Sequence, residues 1–244
     1  VAKAAPDGYT LIVGSPGPMS IAAVVSPKLP YKPAGDLAAV GRVAIISNLL
    51  VVGLAVPANT VAELIALARA QPGKLSYGSS GIGSALHLTG ELFKLQAKVD
   101  MLHAPYKGTS PALTDIMGGQ IQLMFADPSA LPLVRAGKLR ALGQTTLRRS
   151  SGMPDIPTIT ESGLPGYVVD NWYGLFAPAG TPTAVLARLN ADLVKTLNDA
   201  DVRARLIAAG QDPAPSSAEE MGAALRADIA QWARVVEAAA IKLD

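Results

Sequence analysis

Alternating strand and helix signals along the chain predict an α/β protein with a parallel or mixed sheet covered by helices. Short apolar runs alternate with segments of helical periodicity for most of the length. Half of the 244 residues are hydrophobic, which is enough for a sizeable core and excludes intrinsic disorder. The length exceeds that of a usual single domain but is short for two independent ones. We therefore expect either one large α/β domain or two lobes that share crossover strands.

The predicted strands are apolar runs that end at turn residues. Residues 9–14 lead into the loop SPGP, and residues 49–56 form a long run ended by Pro57. Further strands are predicted at residues 75–77, 99–103, 121–126, 139–146 and 168–177. Their length and apolarity predict that the runs 49–56 and 168–177 cross between two lobes. This places residues 1–54 and 175–244 in lobe 1 and residues 55–174 in lobe 2.

Helix start signals follow most of these strands. Two segments carry capping-box patterns, Thr60 with Glu63 and Ser217 with Glu220. The other predicted helices begin at Ser84, Ser110, Pro128, Pro182 and Asp201. Apolar stripes on the carboxyl-terminal helices predict core packing. Residues 147–166, rich in Arg, Ser and Pro, are predicted as an irregular surface segment.

Composition excludes several classes of function. The net charge is +2 with scattered basic residues, whereas nucleic-acid binding needs a clustered basic face. No apolar run approaches the roughly 18 residues of a membrane span. The absence of cysteine excludes thiol catalysis, disulfides and thiolate metal sites. His87 and His103 are the two histidines, and neither has a second ligand at helical spacing, so no metal site is predicted.

The segment YGSSGIGS, residues 77–84, is the best candidate for a binding site. A strand enters a turn of small residues that begins a helix, so a ligand can approach the backbone closely. Free N–H groups and the helix dipole favour an anion there. The candidate ligand-binding residues are Ser80, Gly81, Ile82, Gly83 and Ser84. A tight strand-to-helix turn without any ligand is the competing interpretation and explains the pattern about equally well.

Known catalytic and nucleotide motifs do not fit this turn. The spacing of its glycines is G-x-x-G-x-G, not the dinucleotide pattern, and no Gly-Lys-Ser/Thr sequence follows. The nucleophile-elbow pattern G-x-S-x-G fails by one position around Ser80. No Ser-His-Asp set has a local signature. The sequence therefore predicts no catalytic residue and no cofactor.

Two more helix starts favour the same kind of site. Thr109 and Ser110 precede Pro111, and Asp127 stands at the entrance of the next predicted helix, where capping alone explains it well. Because each follows a strand, these starts should gather with the glycine-rich turn at the carboxyl ends of a parallel sheet. Further candidates for the same cleft are Ser15, Trp172 and Tyr173.

Several collinear motifs make the sequence resemble one family. They are APDGYTL (5–11), PGKLSYGS (72–79), HLTGELF (87–93), PYKG (105–108), GKLRAL (137–142), PDIPT (154–158) and WYGLFAP (172–178). The chain resembles the receptors of tripartite tricarboxylate transporters, the Bug-type periplasmic solute-binding proteins. The resemblance covers essentially the whole length.

The resemblance implies a two-lobed type II periplasmic-binding fold, with mixed sheets flanked by helices and a ligand cleft between the lobes. It implies a small carboxylate ligand: a dicarboxylate, a tricarboxylate, an acidic amino acid or an aromatic acid. In the family, backbone amides and ordered waters hold the carboxylate, and the receptor serves a membrane transporter or a sensor protein. A periplasmic location, removal of a signal peptide and a monomeric state follow as expectations. The family's first strand and helix, with part of the opposite cleft wall, are expected to be absent here.

Two other interpretations stay open at this point. The same fold occurs as the effector-binding domain of transcription regulators, in which a DNA-binding segment would precede Val1. An enzyme acting on the same acids would need a nucleophile, a metal or an acid–base pair of signature strength. We favour the receptor.

Overall fold

The computed structural model describes residues 1–26 and 28–241 and, within them, confirms a mixed α/β architecture with two sheets flanked by helices. The strands are β1 (Ile12–Gly14), β2 (Leu37–Ile46), β3 (Leu49–Val52), β4 (Ser76–Ser79), β5 (Leu102–Pro105), β6 (Leu123–Ala126), β7 (Arg140–Gln144), β8 (Asn171–Pro178) and β9 (Asp212–Pro213). The α-helices are α1 (Ala22–Val25), α2 (Pro33–Asp36), α3 (Val61–Ala70), α4 (Ala85–Ala97), α5 (Thr109–Met117), α6 (Leu131–Arg135), α7 (Ile159–Ser162), α8 (Thr183–Asn198), α9 (Ala200–Ala208) and α10 (Ala218–Ala238). A π-helix spans Gly17–Ile21, and a 3₁₀ turn spans Pro128–Ala130.

The first unit comprises Val1–Ile45 and Asn171–Asp244. Its sheet has the order β1-β8-β2-β9, with β1 antiparallel to β8 and β2 antiparallel to β9. The capping box predicted for α10 is present, because the Ser217 hydroxyl accepts from the Glu220 N–H and the Glu220 carboxylate accepts from the Ser217 N–H. A core cluster lies between the sheet and the helices α10 and π: Met19, Leu37, Trp172, Phe176, Met221 and Leu225.

The second unit comprises Ile46–Asp170 and carries the sheet order β5-β4-β6-β3-β7. Strand β4 is parallel to β5 and β6, whereas β3 is antiparallel to β6 and β7. Strands β3 and β6 are buried along their whole length, as expected for strands with helices on both faces. The parallel strands β4, β5 and β6 each run directly into a turn or helix start at the same end of the sheet.

The chain leaves the first unit after Ile45, inside β2, and returns to it at Asn171. The predicted crossing segment 49–56 therefore lies entirely in the second unit, where β3 pairs with β6 and β7. The other predicted crossing segment, 168–177, contains the return. Both junctions come earlier in the chain than the predicted limits of the lobes. Those limits, residues 1–54 and 175–244 for lobe 1 and residues 55–174 for lobe 2, stay a prediction.

Strand β2 was not predicted, because Gly41 and Arg42 interrupt its apolar run. The structure gives Gly41 a packing reason: a Cβ there would lie 2.8 Å from Asn190 Nδ2 and 2.9 Å from the Ser216 carbonyl oxygen. The Asn190 amide donates to that same carbonyl and to the carbonyl of Val40. A long-range contact therefore explains a residue type that is unfavourable for strands.

Several helix starts and caps differ from prediction. Helix α9 begins at Ala200 with Asp199 as its N-cap, not at Asp201, because the Asp199 carboxylate accepts from the N–H groups of Asp201 and Val202. Helix α5 begins at Thr109 with Gly108 as N-cap, not with Ser110, because Gly108 adopts a φ of 119° that suits glycine. The Glu63 carboxylate accepts from the Asn59 N–H instead of completing the capping box at Thr60. The predicted irregular segment 147–166 contains α7, which has a complete capping box of its own.

Gly90 in α4 packs directly against the ring of Tyr77, and a Cβ at this position would lie 2.3 Å from Tyr77 Cε2. The ring cannot easily move, because Tyr77 is fully buried and its hydroxyl donates to Glu91. We expect Gly90→Ala to lower the free energy of unfolding by about 1–3 kcal/mol through overpacking, despite alanine's better helix propensity. Gly222→Ala in α10 is the matched control, since its Cβ would face the flexible end of Arg226 at 3.4 Å. Urea unfolding followed by circular dichroism should show the control unchanged or slightly stabilised; equal losses would contradict this interpretation of the packing.

Candidate functional site

The glycine-rich turn connects β4 to α4 at one end of the second unit's sheet. Ser84 is the N-cap of the 13-residue helix α4, and its hydroxyl accepts from the His87 N–H. Gly81 and Gly83 have φ values of 133° and 75°, which residues with a side chain rarely adopt. Ile82 lies between them with 59 % of its surface exposed. The sequence therefore correctly predicted the strand, the turn and the helix start.

Side chains hold two of the turn's amides in place. The Gly81 N–H donates to Ser79 Oγ at 3.2 Å, and the Ser79 hydroxyl also lies 3.1 Å from the Gly81 carbonyl oxygen. The Gly83 N–H donates to His87 Nδ1 at 3.0 Å. These two amides are not the free donors that the sequence suggested. The N–H groups of Ser80 and Ile82 lie outside this network and are the turn's candidate donors to a ligand.

A pair of stacked histidines lies behind the turn. The ring centroids of His87 and His103 are 3.8 Å apart with an interplanar angle of 14°, and Tyr77 stacks on His103 at 4.9 Å. His103 Nε2 lies 2.7 Å from Ser79 Oγ. His87 is the nearer of the two to the turn, because its Nδ1 accepts the hydrogen bond from the Gly83 N–H. The sequence did not reveal His103, because the register that places Tyr77 beside His103 joins β4 to β5.

Glu91 anchors the other side of this cluster. Its Oε1 accepts from the Tyr77 hydroxyl at 2.5 Å and from Lys94 Nζ at 2.9 Å, and lies 4.0 Å from His87 Nε2. Glu91 is buried, so its charge depends on these partners for compensation. Burial raises the pKa of Tyr77 well above its ordinary value, and the hydrogen bond to the Glu91 carboxylate acts in the same direction. Tyr77 therefore stays a protonated donor.

The pKa values of both histidines are lowered. Burial lowers the pKa of His87, with Glu91 opposing the shift and Lys94 adding to it. Burial also lowers the pKa of His103 to about 4, and the neighbouring His87 contributes in the same direction. Both imidazoles are therefore neutral at pH 7, which agrees with His87 Nδ1 acting as an acceptor.

The other two helix starts lie together. Thr109 Oγ1 donates to Asp127 Oδ2 at 2.7 Å, and the Ser129 N–H donates to Asp127 Oδ1 at 2.9 Å. Burial by itself would raise the pKa of Asp127, but these hydrogen bonds from Ser129 and Thr109 outweigh it and lower the pKa. The Asp127 carboxylate thus orients Thr109 and caps the 3₁₀ turn. Ser110 is exposed in the first turn of α5.

The ends of the parallel strands are joined by backbone contacts. The Tyr106 N–H, directly after β5, donates to the Ser79 carbonyl oxygen at 3.0 Å. A Cβ on Gly81 would lie 3.6 Å from the Tyr106 carbonyl oxygen. The glycine-rich turn therefore lies beside the segment that leads into α5, and the bond between Thr109 and Asp127 connects α5 to the end of β6. This is the gathering that the sequence predicted for the second unit.

The remaining candidates lie in the first unit. Ser15 follows β1 and is half-buried, and its carbonyl accepts from the Met19 N–H. Trp172 is 3 % exposed, and its indole N–H donates to Asp228 Oδ2 at 3.1 Å. The indole therefore packs in the core of this unit, whereas Tyr173 is half-buried with more of its side chain accessible. A ligand contact by any of the three stays a prediction.

Within residues 1–26 and 28–241, no group of three or more His, Asp and Glu side chains is placed to hold a metal ion. In the same described part of the chain, no helix has both the length and the apolarity needed to cross a bilayer.

A family model and several known proteins match this chain over most of its length. The model of the tripartite tricarboxylate transporter family receptor matches residues 1–241. A protein encoded in a tcbD-tcbE intergenic region of a Pseudomonas species is 36 % identical over 97 % of this chain and 70 % of its own length. Protein BugT of Bordetella pertussis is 32 % identical over 99 % of this chain and 75 % of its own length.

Solved structures show the same relationship. The structure titled R. palustris Rpa4515 with adipate is 38 % identical, with a TM-score of 0.79 over 99 % of this chain and 81 % of its own. MatC from Rhodopseudomonas palustris with bound malate is 34 % identical, with a TM-score of 0.73 over 97 % and 82 %. Because the family model spans nearly the whole sequence and these relatives exceed 30 % identity, the chain belongs to the Bug-type receptor family of tripartite tricarboxylate transporters.

Proposed function

We propose that the protein is an extracytoplasmic receptor, located in the periplasm, that binds one small carboxylate and delivers it to a tripartite tricarboxylate-type transporter or a sensor. The ligand class comprises dicarboxylates, tricarboxylates, acidic amino acids and aromatic acids. The ligand would lie in a cleft between the two lobes, held by backbone amides and ordered waters. In this proposal the protein is not an enzyme and acts as a monomer.

The observation that carries the proposal is the constrained turn at the start of α4. Its two glycines have positive φ values, the N–H groups of Ser80 and Ile82 lie outside the hydrogen bonds that fix the turn, and Ser84 begins a helix whose positive dipole end lies at the same place. A carboxylate gains hydrogen bonds and favourable dipole interactions there without needing an arginine. Ile82, exposed in the middle of the turn, would pack against the hydrocarbon part of such a ligand.

The relatives support the choice of ligand class. Two similar proteins have structures with adipate and malate bound, and both ligands carry two carboxylates on a short chain. Asp127 in this chain is unsuited to direct contact with a carboxylate, because its lowered pKa keeps it ionised, so it has no donor to offer and repels a like charge. We propose that it acts through Thr109, whose position it fixes.

Binding would gain its affinity from preorganisation. The turn's shape is set before the ligand arrives by Ser79 and His87, so little conformational entropy is lost on binding. Closure of the lobes would then remove water from the carboxylate and strengthen each hydrogen bond.

Isothermal titration calorimetry of the complete protein tests the proposal. We expect one equivalent of adipate, malate, citrate, glutamate or benzoate to bind, with one of them clearly preferred. The amide of the preferred acid, with every carboxylate converted, is the matched control, and it should bind roughly tenfold more weakly or worse because hydrogen bonds to a charged group are lost. Absence of binding by all of these acids, or equal binding of acid and amide, would contradict the proposed function.

A further inference from the structure

The two amides that are held in place in the glycine-rich turn, those of Gly81 and Gly83, are both connected to a histidine side chain. His87 Nδ1 accepts from the Gly83 N–H at 3.0 Å. His103 Nε2 contacts the Ser79 hydroxyl at 2.7 Å, and that hydroxyl in turn accepts from the Gly81 N–H. The two rings stack on each other at 3.8 Å. One histidine pair therefore contacts the groups that hold both glycines of the turn, directly at Gly83 and through Ser79 at Gly81.

This arrangement depends on neutral rings. A neutral imidazole has one acceptor nitrogen, and protonation converts it to a second donor. A proton on His87 Nδ1 would point at the Gly83 N–H and break their hydrogen bond. Two imidazolium ions stacked at 3.8 Å would also repel each other in a partly buried site. Protonation of His87 therefore removes the bond at Gly83, and charge on both rings disfavours the stacked pair.

The surroundings do not compensate for a charged pair. The titratable groups that act on the rings come from three elements: Tyr77 on β4, the two histidines on β5 and α4, and Glu91 with Lys94 on α4. The Glu91 carboxylate favours protonation, but its Oε1 is already occupied by Lys94 Nζ and the Tyr77 hydroxyl. The Lys94 ammonium opposes a further positive charge nearby. The cluster is therefore built to keep both rings uncharged.

We propose that His87 and His103 are positioning residues that hold the 80–84 turn in its ligand-binding shape as a neutral stacked pair, and that protonation of the pair releases the turn. The inference rests on the proposed function, in which this turn supplies the ligand's donors. It adds a mechanism by which acidification weakens carboxylate binding.

The pH window follows from the direction of the shifts. The folded protein lowers the pKa of His87, and it lowers that of His103 to about 4, below the ordinary value of about 6.5. The released turn therefore binds protons more readily than the ordered one. The stabilisation that the neutral histidines give the ordered turn is fully present above a pH of about 6.5. It is lost progressively as the pH falls from there toward about 4.

Amide hydrogen exchange measured by NMR on the ligand-free protein tests this directly. In the natural protein, the protection factor of the Gly83 N–H should fall as the pH decreases from 7.5 to 4.5. His87→Ala should lower that protection about fivefold at pH 7.5, the value of one neutral hydrogen bond. His87→Gln should restore it in part, because the side-chain amide oxygen of glutamine supplies an acceptor for the Gly83 N–H in place of Nδ1. Since glutamine does not titrate, its protection should also depend much less on pH.

The controls separate this inference from the proposed function. Gln96→Ala, on the exposed side of the same helix, should leave Gly83 protection unchanged. Unchanged protection in His87→Ala would overturn the proposal, as would a His87→Gln variant with the natural pH dependence. If the amide behaves as expected while adipate and malate fail to bind, the proposed function falls and the role of the histidines stands. If these acids bind equally at pH 7.5 and 4.5, the link between the pair and the ligand falls while the receptor function stands.

Discussion

We expect valine in place of Gly83 to lower the affinity for the preferred acid by between about fivefold and 150-fold, the equivalent of roughly 1–3 kcal/mol of backbone strain. Gly83 has a φ of 75°, which a β-branched residue cannot adopt without strain. The turn relieves this strain by leaving the conformation that His87 supports, so the ligand must restore it on binding. Calorimetric titration with the preferred acid measures the loss.

Gly137→Val is the matched control for this substitution. Gly137 lies in the same unit with a φ of 65° and open space around its Cβ position, so it incurs similar strain far from the glycine-rich turn. We expect the two variants to lose similar stability, while affinity falls in Gly83→Val alone. Natural affinity in Gly83→Val would show that the turn is structural and does not contact the ligand.

Truncation of Glu91 should cause a large loss of stability in the second unit. Glu91→Ala leaves the buried Tyr77 hydroxyl without its acceptor and the Lys94 ammonium without its ion pair. Removing one partner of a buried pair costs about 3–5 kcal/mol. Glu91→Gln keeps an oxygen for Tyr77 and should lose less. Both tryptophans, Trp172 and Trp232, lie in the first unit, so urea unfolding is better followed by circular dichroism.

An exposed glutamate provides the reference for that experiment. Glu237 lies on the surface of α10, and Glu237→Ala should change the free energy of unfolding by about 0.5 kcal/mol or less. If Glu91→Ala is as mild as this control, the cluster of Tyr77, Glu91 and Lys94 does not stabilise the second unit, and our account of the histidine surroundings is wrong.

Features built from residues that are adjacent in the sequence were predictable, whereas features that depend on contacts between distant residues were not. The glycine-rich turn was predictable because strand, small residues and the Ser84 cap are adjacent. The partners of its amides were less accessible, since the contact between Ser79 and His103 depends on strand register. The start of helix α5 at Thr109 was not predicted, because it depends on the unusual φ of Gly108. That conformation is not visible in the local sequence pattern. Trp172 belongs to one of the family motifs, but its indole is buried in the core of the first unit. The local sequence does not reveal this burial, because it depends on tertiary packing.

Backbone chemical-shift mapping during titration tests the central claim most directly. The account predicts that adding the preferred dicarboxylate to the ¹⁵N-labelled complete protein shifts the amides of Ser80 and Ile82 most strongly, because these two N–H groups donate to the carboxylate. Saturable binding of the acid with these amide resonances unmoved would contradict it, since the carboxylate would then be held elsewhere in the molecule.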